Sequence, residues 1–162
     1  MEYLLIFVCF GLYVFLANFY SYTILKTKLL RSQKWDLNIC CGKTDGGGVN
    51  ADIFKHLEVH NFVYIKDIYN LPFENNQFDS VLCSHTMEHI DDPELFFTEL
   101  SRVGKEVTIV IPPLYDIVAV LNFLEHKWIF LSFKKKHNTL PTHIQLPFSR
   151  MIQKFLGQRL RA

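Results

Sequence analysis

Hydrophobic and polar positions divide the chain into two unlike parts. From Tyr3 to Leu25 there are 23 residues without a charged side chain. A helix rises about 1.5 Å per residue, so such a run covers a hydrocarbon core of about 30 Å. The pattern predicts a transmembrane anchor over residues 1–25. A cleaved signal peptide wants a positive n-region, a short apolar core and a small-x-small cleavage site. Here Glu2 is the only early charge, and "ANFYSY" is a poor site. A buried core helix is the remaining alternative. Lys26, Lys28, Arg31 and Lys34 follow directly. Basic residues beside a span stay in the cytoplasm, and Tyr20 and Tyr22 suit its interfacial belt. The expectation is a single-pass membrane protein with a basic juxtamembrane linker at 26–35 and its soluble domain, 36–162, facing the cytoplasm.

From Trp35 the period changes. "WDLNICC" is a short apolar run ending at Gly42 and reads as a buried strand. "KTDGGG" is a turn-rich loop, and "VNADI" and "NFVYIKDI" read as further strands. "FDSVLCSH", Phe78 to His85, is apolar enough to be a central one. A helix should start at Pro93, with Asp92 as its N-cap and Glu94 at its positive end. Leu95, Phe96, Leu100 and Val103 share one face of it. "EVTIVIPP" reads as the next strand, stopped by prolines. Short apolar strands with a crossover helix imply a parallel sheet in an α/β layer fold. Beyond Pro113, Asp116–His126 reads as a helix, and Lys127–Phe133 as a strand or that helix's end. "KKKH" reads as a solvated loop, with a membrane-surface patch as the alternative. Ser149–Arg161 reads as a basic amphipathic helix, expected to pack on the sheet rather than lie on a membrane.

Composition narrows the function classes. The 162 residues suit one domain, and the formal charge of +1 argues against a general nucleic-acid binder. The four cysteines form neither a CxxC nor a disulfide framework, which fits small buried residues in a reducing compartment.

Ligands in open α/β folds bind beyond the carboxyl ends of the strands. The strand-end residues are Gly42, Asp52, Asp67 and His85. A glycine there lets a ligand approach the backbone. An acid after the second strand can accept both ribose hydroxyls, and one after the third can accept from an adenine amino group. This is a nucleoside-binding arrangement. From Asp36 to Pro113 the chain also resembles the class I S-adenosylmethionine-dependent methyltransferases of the small "methyltransferase domain 11" type. The matching residues, in order, are Asp67, Leu71-Pro72-Phe73, Phe78-Asp79, Glu88-His89, Asp92-Pro93, Glu99 and Arg102-Val103. The resemblance implies a reduced Rossmann-like α/β sheet, mostly parallel, preceded here by one transmembrane helix. It implies S-adenosylmethionine as cofactor, with Gly42 beside the methionine part, Asp52 on the ribose and Asp67 and Ile68 flanking the adenine. Ser84 and His85 would line the methyl-transfer site. The first glycine motif departs from the family: Asn38, Cys40 and Thr44 stand where an acid and two glycines are usual.

"HTMEH", His85 to His89, also has the order of an inverted zinc-peptidase motif. That motif needs a helix, whereas His85 closes a strand and Asp92-Pro93 opens a new helix. No metal is therefore expected. His85, Glu88 and His89 are the candidate bases for removing an acceptor proton, and the alternative for Glu88 and His89 is a structural role in the turn. The expected function is methyl transfer to a small, lipid-like or membrane-associated molecule. The alternative is a catalytically degenerate binding or scaffolding module at the membrane.

Overall fold

A computed structural model describes residues 1–156. The chain opens with α1 (Glu2–Asn18), a π-helical segment (Phe19–Leu25) and α2 (Lys26–Leu30). Together they make a continuous helix of 29 residues, with a mean hydropathy of 2.0 over its most apolar window. It is long and apolar enough to cross a membrane, and little of it is covered by the rest of the chain. The basic segment is helical as far as Leu30.

The domain that follows contains β1 (Trp35–Ile39), β2 (Gly47–Asp52), β3 (Phe62–Tyr64), β4 (Phe78–Ser84), α3 (Pro93–Val103) and β5 (Gly104–Val110). Then come α4 (Ile117–Val120), β6 (Trp128–Phe130), β7 (Lys136–His137), β8 (His143–Gln145) and α5 (Ser149–Leu156). One sheet has the order β3-β2-β1-β4-β5-β7. All its pairings are parallel except β5 with the edge strand β7. A separate ribbon pairs β6 with β8. This is an α/β, Rossmann-like fold with a mostly parallel sheet.

One face of the sheet is apolar. Leu37, Ile39, Val81, Cys83, Val107 and Ile109 bury against Phe96, Leu100 and Val103 of α3. The sequence starts α3 where expected: Asp92 accepts the Leu95 amide at 2.9 Å, and Pro93 takes the first turn. The other face is largely polar and carries no crossover helix. Seven residues, Cys40 to Gly46, return the chain from β1 to β2. Buried Asn38 holds that return by donating to the Thr44 carbonyl and to Asn50 Oδ1, both at 3.0 Å. Asn50 Oδ1 also accepts the Gly46 amide, and its Nδ2 donates to Asp45 and to the His60 carbonyl. Beside this loop the N-terminal helix covers the face: Leu29 and Leu30 pack on Trp35, Leu82 and Val110. Trp35 Nε1 donates to the Leu30 carbonyl at 3.0 Å.

The region after Pro113 departs from expectation. Asp116–His126 holds only the single turn α4, after which the chain continues in turns. Lys127–Phe133 contains the strand β6. "KKKH" is not a solvated loop: Lys136 and His137 pair with β5, and Lys135 is buried with Nζ donating to Ser21 Oγ. In α5 the apolar Met151, Phe155 and Leu156 are exposed, so that face does not pack on the sheet. The buried positions are Ser149 and Gln153, because Gln153 donates to the carbonyls of Phe123 and His126. Arg159 and Arg161 lie outside the described residues.

Gly48 marks the closest approach of β1 and β2. A Cβ there would meet the carbonyl oxygens of Trp35 and Asp36, which are backbone and cannot rotate away. Gly48→Ala should therefore lower stability by about 1–3 kcal/mol, the usual range for overpacking. Urea unfolding of the two proteins checks this.

Candidate functional site

β1 is central, with β2 on one side and β4 on the other. The strand order therefore changes direction between β1 and β4, the place where a crevice opens in such sheets. A cleft of about 570 Å³ lies there, within the roughly 300–1,000 Å³ range of small-molecule sites. Cys40, Cys41, Gly42, Lys43 and Thr44 form one lip, and Ser84, His85 and His89 the other. Asn122, Glu125 and His126 close one end. Asn18, Tyr22 and Lys26 of the N-terminal helix, four residues apart on one face, complete the wall.

Both lips bend through left-handed backbone. Cys40 has φ 51°, Gly42 φ 54° and His85 φ 56°. Glycine adopts this freely, whereas a β-carbon makes it cost on the order of 1–2 kcal/mol. Cys40 thus keeps the backbone turn of a glycine loop without the glycine. Strain of this kind at two facing strand ends is typical of a binding site.

The residues singled out in the sequence divide into three groups. Gly42, Ser84, His85 and His89 line the cleft. Asp52 and Glu88 are buried just behind it. Asp52 Oδ2 accepts the Gly42 amide at 2.8 Å and Oδ1 the Ile53 amide at 2.7 Å, so this acid fixes the Gly42 turn. Oδ1 also accepts the Phe54 amide at 3.5 Å, so the spare lone pair is on Oδ2. Asp67 and Ile68 are not among the cleft-lining residues; Asp67 accepts the Tyr69 amide in a local turn, and Ile68 packs on the core. Sequence reading missed Tyr22, Lys26 and His126. Tyr22 is read from sequence as part of the anchor's interfacial belt and Lys26 as its basic flank, although their four-residue spacing is visible. His126 had no local signal.

The turn from His85 to His89 is not helical, so the peptidase geometry is absent. His85 extends the β4–β5 pairing by donating its amide to the Val110 carbonyl at 2.8 Å. Its Nδ1 lies 3.0 Å from Glu88 Oε1, and its Nε2 is buried without a hydrogen-bond partner. The ring meets Tyr22 edge-on at 5.5 Å. His89 Nδ1 donates to the Glu125 carbonyl at 2.9 Å, and the His89 and His126 rings lie 4.7 Å apart. Glu88, His89 and His126 bring one ligand-type atom each within 4.8 Å of one another.

Burial pushes the His85 pKa down to about 4, with Lys135 and Lys26 adding to the effect and Glu88 opposing it. Burial alone would raise Glu88, yet His85, His89 and His126 hold its carboxyl below the usual range. The pair is therefore a neutral imidazole beside a carboxylate. Burial raises Cys41 and Cys83 to about 12 and Cys40 well above its ordinary value. These remain thiols at neutral pH, which removes them as nucleophiles.

Residues 49–111 match the family described as methyltransferase domain. No curated protein sequence matches the chain significantly. Among solved structures, one similar chain is a SAM-dependent methyltransferase from Thermotoga maritima, described as a possible histamine N-methyltransferase. It is 20% identical with a TM-score of 0.42, over 66% of this chain and 59% of that one. A protein from Pyrococcus horikoshii is 16% identical with a TM-score of 0.45, covering 87% and 81% of the two chains. A SAM-dependent methyltransferase from Methanosarcina mazei is 16% identical with a TM-score of 0.43, covering 81% of each. The chain thus spans 59% of the length of the Thermotoga protein, less than two thirds.

Unfolded histidine titrates near about 6.5, and folded His85 only near 4. Between these values the unfolded chain binds the extra proton, so stability falls as pH drops from about 6.5 to about 4 and levels off below. His126 is also shifted down by burial and adds in the same sense. Ionised Glu88 contributes stability that is lost further down, below the ordinary carboxylate range. In chelator-containing buffer the melting temperature should drop across pH 6.5–4. The drop should be shallower in His85→Asn, since asparagine tolerates the left-handed backbone. Thermal melts at several pH values check this.

Proposed function

We propose that the chain transfers a methyl group from S-adenosylmethionine to a small acceptor held in the cleft at a membrane surface. The observation that carries this is the cleft itself, which lies at the β1–β4 switch point between a glycine-type turn and a histidine–carboxylate pair. The residues present suit the methionine and ribose end of the cofactor. Lys43 offers a cation to its carboxylate, the Gly42 turn lets it approach the backbone, and Asp52 has acceptor capacity for ribose hydroxyls. Asp67 and Ile68 are assigned to the adenine on the family resemblance.

The bound cofactor would supply an activated methyl group on a sulfonium. The protein's part is alignment and proton removal. His85 is suited to the second. With its hydrogen on Nδ1, 3.0 Å from Glu88 Oε1, the imidazole keeps the Nε2 lone pair to take a proton from an acceptor O–H or N–H. Glu88 then stabilises the imidazolium, as the acid of a catalytic triad does. His89 acts beside it at the cleft wall.

The membrane part of the reading rests on the N-terminal helix. It is apolar enough to span a bilayer, and its Asn18, Tyr22 and Lys26 face the cleft. An anchor that also walls the site favours a lipid-like or membrane-associated acceptor, with the domain on the cytoplasmic side of its basic flank.

A binding module without activity is favoured by one observation. Asp52 is 6% exposed and already bonded by three backbone amides. Isothermal titration of the full chain in detergent micelles with S-adenosylmethionine, followed by a search for S-adenosylhomocysteine with membrane lipid extracts, separates the readings. Saturable binding, weakened at least about tenfold in Asp52→Ala through loss of a charged hydrogen bond, is expected. Absence of binding at millimolar cofactor overturns both the cofactor assignment and the transferase reading.

A further inference from the structure

Only part of the N-terminal helix stands clear of the domain. Residues 1–13 are exposed, and cover begins at Val14. At about 1.5 Å per residue the clear part reaches about 20 Å, short of a hydrocarbon core of about 30 Å. The rest of the apolar run lies along the domain with its polar groups turned inward. Tyr13 Oη donates to the Tyr115 carbonyl at 3.3 Å, Asn18 Nδ2 donates to Asp116 Oδ1 at 3.0 Å, and Ser21 Oγ accepts from Lys135 Nζ. Phe15, Leu16, Phe19 and Ile24 remain exposed on its outer side. The element that α1 touches is α4, where Val118 and the adjoining Leu121 are exposed as well. Gln153 ties α5 to the Phe123 and His126 carbonyls that follow α4. On the side of α5 away from Gln153, Met151 and Phe155 are exposed one turn apart. Apolar surface of this extent marks a contact. The charge on it has one sign. There is no Asp or Glu from Tyr3 to Lys34 or after Glu125, and Lys28, Arg31, Arg150 and Lys154 are exposed on these elements.

We propose that the outer side of the N-terminal helix, α4 and α5 together form a seat immersed in a lipid bilayer interface, so that the domain is bedded in the membrane rather than suspended from a span. This rests on the membrane part of the function proposed above. The helix length carries it. The clear part alone does not cross the core, so a crossing takes Val14 to Phe19 into the lipid, and α4 beside them goes too. A helix that stops within the core brings the same surface to its edge. The polar groups along this stretch are paired inside the protein, which suits a place where water is scarce. α5 has the build of a helix that lies in the interface plane, with apolar Met151 and Phe155 flanked by Arg150 and Lys154. Those cations meet the anionic headgroups of a leaflet favourably, whereas a second copy of the chain would bring like charges together. Val118 belongs both to this surface and to the wall of the cleft. The cleft mouth therefore adjoins the lipid, and on the transferase reading the acceptor enters past Val118 from the membrane side.

The test uses the full chain reconstituted into vesicles of phosphatidylcholine and phosphatidylglycerol, with a polarity-sensitive fluorophore on one cysteine at a time. Cys9 is exposed and takes the label in the unsubstituted chain, while the raised thiols of Cys40, Cys41 and Cys83 react slowly. In a Cys9→Ala background the label is placed through Leu121→Cys, through Phe155→Cys or, on α3 across the sheet, through Ser101→Cys. All three positions are exposed, so the chain keeps its fold. Labels at positions 9, 121 and 155 should emit at shorter wavelength and be quenched by nitroxide-bearing acyl chains but not by aqueous iodide. The label at position 101 should behave in the opposite way. Iodide quenching at 121 or 155 overturns the proposal; if position 9 is still quenched by lipid nitroxide, the helix inserts and the domain stands off. Iodide quenching at position 9 sinks the membrane reading as well. Labels at 121 and 155 shielded from both quenchers mean that protein covers the surface, which also overturns the bilayer seat. No arm of the test reads S-adenosylmethionine, so failure of the transferase reading leaves its outcome unchanged.

Discussion

The buried pairing of Asn38 with Asn50 is the constraint on which the polar half of the molecule depends. Parallel neighbours usually need a crossover of a dozen residues or more, most often a helix. Here seven residues make the return from β1 to β2. They can do so because they run back over the sheet face with the Thr44 carbonyl and the Gly46 amide met by two asparagine side chains. An unpaired amide in that position would cost on the order of 1–3 kcal/mol, so the network must be complete to hold. With the loop pinned, Cys40 and Gly42 turn through left-handed backbone and Asp52 closes on the Gly42 amide. One lip of the cleft follows from that.

The missing crossover helix leaves a face of the sheet to be covered by something else. The end of the N-terminal helix takes that place: Leu29 and Leu30 lie on Trp35, Leu82 and Val110, and Ser21 meets buried Lys135. The same helix carries Asn18, Tyr22 and Lys26 into the cleft. A length and apolarity sufficient to cross a membrane and a place in the domain are therefore combined in one element. Its outer part is apolar on all sides, while its inner part packs on the sheet and lines the site.

The two histidine clusters share Glu88. His85 lies beside one carboxylate oxygen, and Glu88, His89 and His126 bring one ligand-type atom each within 4.8 Å of one another. Burial holds His85 and His126 neutral against the pull of that carboxylate, and the raised thiols of Cys40, Cys41 and Cys83 leave nitrogen and oxygen as the chemically active atoms.

The apolar N-terminal helix, the strands β1 to β5, the start of α3 and the strand-end location of Gly42, Ser84 and His85 are legible in the order of residues. Those features are written in local periodicity, capping residues and turn chemistry, which act over a few positions. Tertiary structure alone decided the rest. The asparagine pair reads as two isolated polar residues until β1 and β2 are aligned in register. Burial of Lys135 and Gln153 requires partners more than 25 positions away. His126 reaches Glu88 and His89 because the expected helix over Asp116–His126 stops after one turn and the chain folds back over the cleft. Contacts of that range depend on how the strands assemble, and a linear pattern of hydrophobic and polar residues does not encode them locally.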